Sequence, residues 1–167
     1  MNVEIRPARS GDGAALAGAW LDNARYYMGL FPDDFRMPDE AGVVEWFDAQ
    51  LARPRSASEL HLVAMVDGSV GAFAYARLTE PDEHASRQML ADYPYPRVHV
   101  EALGTADAFQ RRGLATLLVK TVEAWARERG ARAISAETHL QSPVSIPFWE
   151  QRMGYRRRSV KLTKRLQ

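Results

Sequence analysis

Apolar and polar positions change period several times along the chain, and each change marks an element. Val3, Ile5 and Pro7 alternate with polar neighbours, which predicts a short first strand, with Ser10 or Asp12 placed to cap the helix that follows. Leu16, Ala19, Trp20 and Tyr27 share one face of that helix. Beyond the loop Phe31-Pro32-Asp33-Asp34-Phe35, Asp39 can cap a second helix that turns Val43, Val44, Phe47 and Leu51 inward and stops before Pro54. Two apolar runs, Leu62 to Val66 and Val70 to Arg77, flank Asp67-Gly68-Ser69, whose composition suits a hairpin turn.

Residues 79 to 96, which hold Pro81, Pro94 and Pro96, interrupt this pattern. One helical turn is expected around Arg87 to Leu90, and connections of such length commonly serve as lids. Strand period returns from Arg97 to Thr105. Leu114, Leu117, Leu118, Val122 and Trp125 then recur at helical spacing until Gly130, which is placed to end the helix. Ala133 to Glu137 predicts a further strand, Val144 to Met153 a short helix, and Tyr155 to Leu166 a last strand with many exposed cations. No repeat or linker divides the chain, so residues 1–167 are expected to form a single α/β domain.

Composition narrows the chemistry. With 46% hydrophobic residues in 167, the chain can build one continuous core. Lys and Arg number 22 against 21 Asp and Glu, a net charge of +1, so no overall field draws it to nucleic acid or an anionic membrane. The absence of cysteine excludes disulfides, thiolate metal sites and a cysteine acyl-enzyme. No metal is expected. Neither a signal pattern at the start nor a run of ~20 apolar residues is present, so the expectation is a cytoplasmic protein with no membrane partner.

The stretch that carries chemistry begins at Val98-His99-Val100-Glu101-Ala102-Leu103-Gly104-Thr105, a strand running through a glycine-bearing turn into a long helix. Unpaired amides at a helix start, together with the helix dipole, favour a diphosphate if the backbone can be approached closely, and Gly113 permits that. Neither G-x-G-x-x-G nor G-x-x-x-x-G-K-[ST] occurs, which sets aside the dinucleotide and nucleoside-triphosphate loops. Gln110-x-x-Gly113-x-Ala115 instead resembles the Q/R-x-x-G-x-G/A signature of the GNAT family of N-acetyltransferases. Ile5-Arg6-Pro7-Ala8 with Asp12 looks like that family's opening, and Phe148 to Tyr155 like its closing segment, so the resemblance covers nearly the whole chain.

The resemblance implies a GNAT-like acyl-CoA N-acyltransferase fold. In it the sheet is mixed, and the fourth and fifth strands splay apart to admit the pantetheine arm of acetyl-CoA, the co-substrate. It implies that Leu103, Gly104 and Thr105 hold that arm through backbone amides. Gln110, Arg111, Arg112, Gly113, Leu114, Ala115 and Thr116 would form the pyrophosphate turn. Ser142 stands where relatives often carry an asparagine that contacts the cofactor, and a strand-four amide near Leu103 or Gly104 would stabilise charge on the carbonyl oxygen. The implied reaction is direct acetyl transfer to a primary amine of a small molecule or peptide, and a homodimer is compatible with it.

An alkylammonium with a pKa near ~10.4 must lose a proton before its nitrogen can attack. His99 and Glu101, two apart on a strand, point to one side of the sheet and are the candidate bases. Carboxylates are ionised at neutral pH, whereas an imidazole titrates near ~6.5, so Glu101 is favoured and His99 could relay the proton outward. Family members carry catalytic histidines or a glutamate at similar positions. The family's usual proton-donating tyrosine is replaced by Glu150, and Tyr93 and Tyr95 on the connector are the substitutes at hand. Asp33, Asp34, Asp39 and Glu40 would give an acidic acceptor mouth. The competing readings are an acetyl-CoA-binding module without catalysis, and a nucleic-acid binder resting on Arg156, Arg157, Arg158, Lys161, Lys164 and Arg165, which has no interleaved aromatics to support it.

Overall fold

The structure, a computed structural model, describes residues 2–166; Met1 and Gln167 lie outside it. Five strands form one sheet in chain order: β1 (Val3–Pro7), β2 (Glu59–Val66), β3 (Ser69–Thr79), β4 (Arg97–Thr105) and β5 (Ala133–Ala136). The first three junctions are antiparallel. The β4–β5 junction is parallel, as a strand pair joined by a crossover helix must be. Helices α1 (Gly13–Leu30) and α2 (Glu40–Ala52) separate β1 from β2, and α3 (Leu114–Glu128) is the crossover. A turn at Ser145–Pro147 leads into a π-helical turn at Phe148–Arg152.

The period-two pattern of the strands puts a core on each face of the sheet. On one face Leu62, Ala64, Ala74, Val98 and Val100 pack against Leu114, Leu118, Val119 and Val122 of α3. Leu118 is fully buried, which is worth about 2 kcal/mol. On the other face Val63 and Phe73 pack against Leu16, Ala17 and Ala19 of α1 and Phe47 of α2. The β2–β3 hairpin closes through Asp67 (φ 47°) and Gly68 (φ 90°), between the paired residues Val66 and Ser69. Two successive positive φ angles match the twist of the flanking strands. Among the described residues no helix is long and apolar enough to cross a membrane.

The structure departs from the sequence expectations in three places. Asp12 precedes α1 but does not cap it with its side chain. Its carboxylate accepts two hydrogen bonds from Arg6 (2.7 and 2.8 Å) and one from the Arg9 amide (2.9 Å). The Arg6 hydrogen bonds hold Asp12 below the usual carboxylate range. The single helical turn of the 79–96 connector is a 3-10 turn at Ala85–Arg87, slightly earlier than expected.

The predicted last strand is absent: residues 155–166 form no strand. Tyr155 packs on Trp149, but from Arg156 onward the segment is exposed, Val160, Leu162 and Leu166 included, so it has no buried face. Its cations engage different elements: Arg157 bonds Glu150, Arg158 bonds Asp92 and Lys161 bonds Glu137. Scattered side-chain ties replace the ladder that a strand requires.

Candidate functional site

β4 belongs to the sheet on both edges only over its first half. β5 pairs with Arg97 to Val100 and ends at Ala136, which leaves Glu101 to Thr105 with a free edge on that side. Strand β3 pairs with β4 throughout, but its register jumps from Ala76↔Val100 to Tyr75↔Ala102, so Glu101 is an extra residue in a bulge. The bulge turns the neighbours Glu101 and Ala102 to the same side, and both line one pocket on the α1–α2 face. Val98 and Val100 face α3, so His99 lies on the same side as Glu101.

The two candidate bases are nevertheless held differently. His99 Nδ1 is 2.9 Å from the Ser135 hydroxyl on β5, and His99 does not line the pocket. Glu101 lines it, with Arg77 Nε 3.7 Å from its carboxylate.

The pocket has a volume of about 230 Å³ and lies between α1, α2 and the sheet. Its walls include Trp20, Trp46, Phe47, His61, Phe73 and Tyr75. His61 stacks on Tyr75 at 4.2 Å, and Phe47 meets Phe73 edge-on at 5.6 Å. Burial holds His61 below its ordinary range despite the nearby Glu59 carboxylate, so its ring is neutral at neutral pH. Gly104 makes this packing possible, because a Cβ there would stand 2.4 Å from the Phe73 ring. The aromatic wall comes from two helices and two strands distant in sequence, and no local pattern signals it.

At the far end of β4 the chain makes a short 3-10 turn, Asp107–Phe109, and enters α3 through the glycine-bearing turn. Arg111 (φ 61°) and Gly113 (φ 80°) both take left-handed conformations, and a Cβ at Gly113 would meet nothing within 4 Å. The glycine thus serves its positive φ, and the space above it is open. Bonding in α3 begins with the Leu117 amide donating to the Gly113 carbonyl (3.1 Å), which leaves the amides of Leu114, Ala115 and Thr116 without intrahelical partners. Arg111 and Arg112 are exposed beside them; Arg112 donates to the Ala108 carbonyl and lies over the Phe109 ring. Gln110 turns back to Asp107 (2.7 Å).

Helix α1 crosses the gap between β4 and β5. Asn23 donates to the Leu103 carbonyl at 3.4 Å, and one turn later the Tyr27 hydroxyl lies 2.5 Å from Ser145 Oγ and 3.4 Å from Thr138 Oγ1, beyond the end of β5. Helix α1 therefore spans the opening, with Asn23 on the β4 side and Tyr27 beyond β5, a placement of Tyr27 invisible in sequence because its partners lie more than a hundred residues away.

Other expected contributors are committed elsewhere. Ser142 is 2% exposed and its hydroxyl accepts from the Ser145 amide, so it caps the closing helical turn. Glu150 is tied to Arg157 at 2.7 Å. Tyr93 lies under Arg97 and Tyr95 under Arg132, at the start of the β4–β5 pairing and thus at the end opposite the gap. The connector carrying them is anchored there, which fits neither a lid over the gap nor a proton donor within it. The acidic mouth is also dispersed: Asp34 pairs with His139 (3.2 Å) and Asp39 caps α2 through the Gly42 amide (2.8 Å).

Residues 21–155 match the Acetyltransferase (GNAT) family. The chain belongs to that family. The GNAT fold is also seen in solved structures of low sequence identity. A tetramutant of the BH1408 protein of Bacillus halodurans superposes with a TM-score of 0.78 at 17% identity, covering 98% of this chain and 99% of that one. The aminoglycoside 6'-N-acetyltransferase AAC(6')-IG of Acinetobacter haemolyticus does so with a TM-score of 0.64 at 20% identity over all of both chains. AAC(6')-Iy, solved with the bisubstrate analogue CoA-S-monomethyl-acetylneamine, reaches 0.63 at 20% identity, covering 99% of this chain and 100% of that one. No curated protein matches the sequence.

Within this GNAT fold the freed edge of β4 connects the pocket, which it meets at Glu101 and Ala102, to the open turn before α3. Backbone groups of Leu103, Gly104 and Thr105 lie between the two.

Proposed function

We propose that the chain transfers the acetyl group of acetyl-CoA directly to a primary amine of a small molecule or peptide. The observation that carries this reading is the continuity just described: one free strand edge joins a pocket holding a carboxylate to a helix start with open amides. AAC(6')-Iy, bound to an analogue that joins CoA to the acceptor, supports transfer within a ternary complex.

Acetyl-CoA supplies the activated thioester. The amides of Gly113 to Thr116, with the helix dipole and the Arg111 and Arg112 cations, suit its pyrophosphate. The edge of β4 at Leu103 to Thr105 offers amides and carbonyls to the pantetheine arm, as a neighbouring strand would. Glu101 takes the proton from the acceptor ammonium and frees the nitrogen lone pair to attack. His99, hydrogen-bonded to Ser135, passes that proton outward. An amide of Leu103 or Gly104 stabilises negative charge on the carbonyl oxygen. As the new C–N bond forms and the C–S bond breaks, the departing thiolate takes a proton from Tyr27, and the second proton shed by the nitrogen restores the Tyr27 hydroxyl, which is within reach of Ser145, leaving a neutral amide and the CoA thiol.

Gly113→Val tests the cofactor half. A β-branched residue at φ 80° is strained. The turn is expected to reorganise and weaken acetyl-CoA binding about tenfold or more by calorimetry; unchanged affinity would remove the pyrophosphate assignment. Thiol release against a panel of amines tests the transfer half, and silence across the panel with intact CoA binding would favour a binding module.

A further inference from the structure

We propose that the acceptor is a compact amine bearing one flat apolar ring, seated between α1 and α2 with its nitrogen at Glu101, and that polycationic amino sugars are excluded. This rests on the acetyl-transfer reading above and names its second substrate.

Size is the first argument. An apolar cavity of about 150 Å³ accommodates benzene. The pocket here, at about 230 Å³, holds one ring and a short arm. Lining is the second. Rings of Trp20, Trp46, Phe47, Phe73 and the stacked His61–Tyr75 pair surround the space, at the edge-on and stacked geometries that aromatic groups favour.

Charge is the third. Among the described residues Glu101 is the one acidic residue lining the pocket, and it lies where the pocket meets the free edge of β4. A single ammonium can therefore be placed next to the acetyl donor. An amino sugar brings several ammonium and hydroxyl groups, more than Gln50, His61 and Tyr75 in a mainly apolar wall can partner, a heavy desolvation cost. Nearby carboxylates do not offset it, since Glu59 is engaged by the Tyr75 hydroxyl and Arg77, and Asp39 by the cap of α2. Trp20 and Trp46, 38% and 51% exposed, stand at the mouth, so an aromatic amine can enter without opening the core.

Phenethylamine and kanamycin serve as opposed probes on the full chain. Calorimetry without acetyl-CoA reads pocket binding alone, and thiol release with acetyl-CoA reads transfer. Phenethylamine is expected to bind and to show a kcat/KM at least about tenfold above that of kanamycin. Trp46→Ala is expected to raise its KM about tenfold, with acetyl-CoA affinity and folded state unchanged, and Trp46→Phe to restore most of it. Faster transfer to kanamycin, or a Trp46→Ala enzyme with unchanged KM, overturns the proposal while acetyl transfer stands. Trp46-dependent binding of phenethylamine with no turnover of any amine upholds the pocket and removes the transfer reading. Binding and turnover of neither probe overturns the proposed acceptor.

Discussion

Replacing Glu101 by glutamine removes a base without removing a shape. The amide keeps the length and planarity of the carboxylate and still lines the pocket, but it cannot accept a proton. His61 also lines the pocket, but it is stacked on Tyr75 and burial disfavours its protonated form. Glu59 is occupied by the Tyr75 hydroxyl (3.1 Å) and by Arg77, and His99 is held by Ser135 outside the pocket. A positioned general base contributes about a hundredfold to ten-thousandfold, or about 3–5 kcal/mol at ~1.4 kcal/mol per decade. The folded state loses far less. The Arg77–Glu101 pair spans 3.7 Å with side chains 52% and 37% exposed, and such a surface pair is worth below about 1 kcal/mol. Glu101→Gln is therefore expected to lower kcat/KM by at least about a hundredfold, leave acetyl-CoA affinity unchanged and shift the melting midpoint by less than about 4 °C. The defect should shrink as pH rises toward ~10, where an alkylamine deprotonates without help. Steady-state thiol release across a pH series, with calorimetry of CoA binding, measures both. A kcat/KM within about threefold of the parent at neutral pH would refute the assignment of Glu101 as base.

Tyr27→Phe deletes the hydroxyl proposed to protonate the leaving thiolate, and kcat is expected to fall on the order of tenfold with CoA affinity intact; the modest size reflects a thiolate of pKa roughly 8.5 that leaves readily. Asp12→Asn breaks the pair with Arg6, whose two side chains are 9% and 14% exposed, and should cost about 3 kcal/mol at neutral pH by urea unfolding. Because the Arg6 hydrogen bonds lower the folded pKa of Asp12, this stability is present above the unfolded value near ~3.9 and lost as pH falls through the lower folded value. The difference between parent and variant should therefore narrow in acid. Tyr155→Phe removes a buried hydroxyl that makes no hydrogen bond within 3.5 Å, although the Glu123 carboxylate lies beside it, and is expected to stabilise the fold by about 1 kcal/mol, visible as a higher melting midpoint. A destabilised Tyr155→Phe protein would show that the hydroxyl is satisfied.

The periodicity of single segments made the five strands and three long helices legible, because burial on one face repeats every two or about 3.6 residues within a segment. The turn from Gln110 to Ala115 was legible too: Gly113 and the start of α3 are neighbours in the chain, and the amides they leave open follow from local backbone geometry. Asp39 could be read as a cap for the same reason, since its partner lies three residues on.

What the sequence could not specify depends on pairing between distant segments. Alternation alone predicts a last strand, yet a strand needs a partner ladder and a buried face, and residues 156–166 have neither. Asp12 suits a helix cap locally, but β1 brings Arg6 to it first. The bulge that turns Glu101 into the pocket arises from the register between β3 and β4. The aromatic wall is assembled from α1, α2, β2 and β3, and the reach of Tyr27 to Ser145 depends on how α1 crosses the sheet. Local pattern thus determined the elements and the glycine-bearing turn before α3, while the aromatic pocket and the placement of Glu101 in it were decided only when those elements packed.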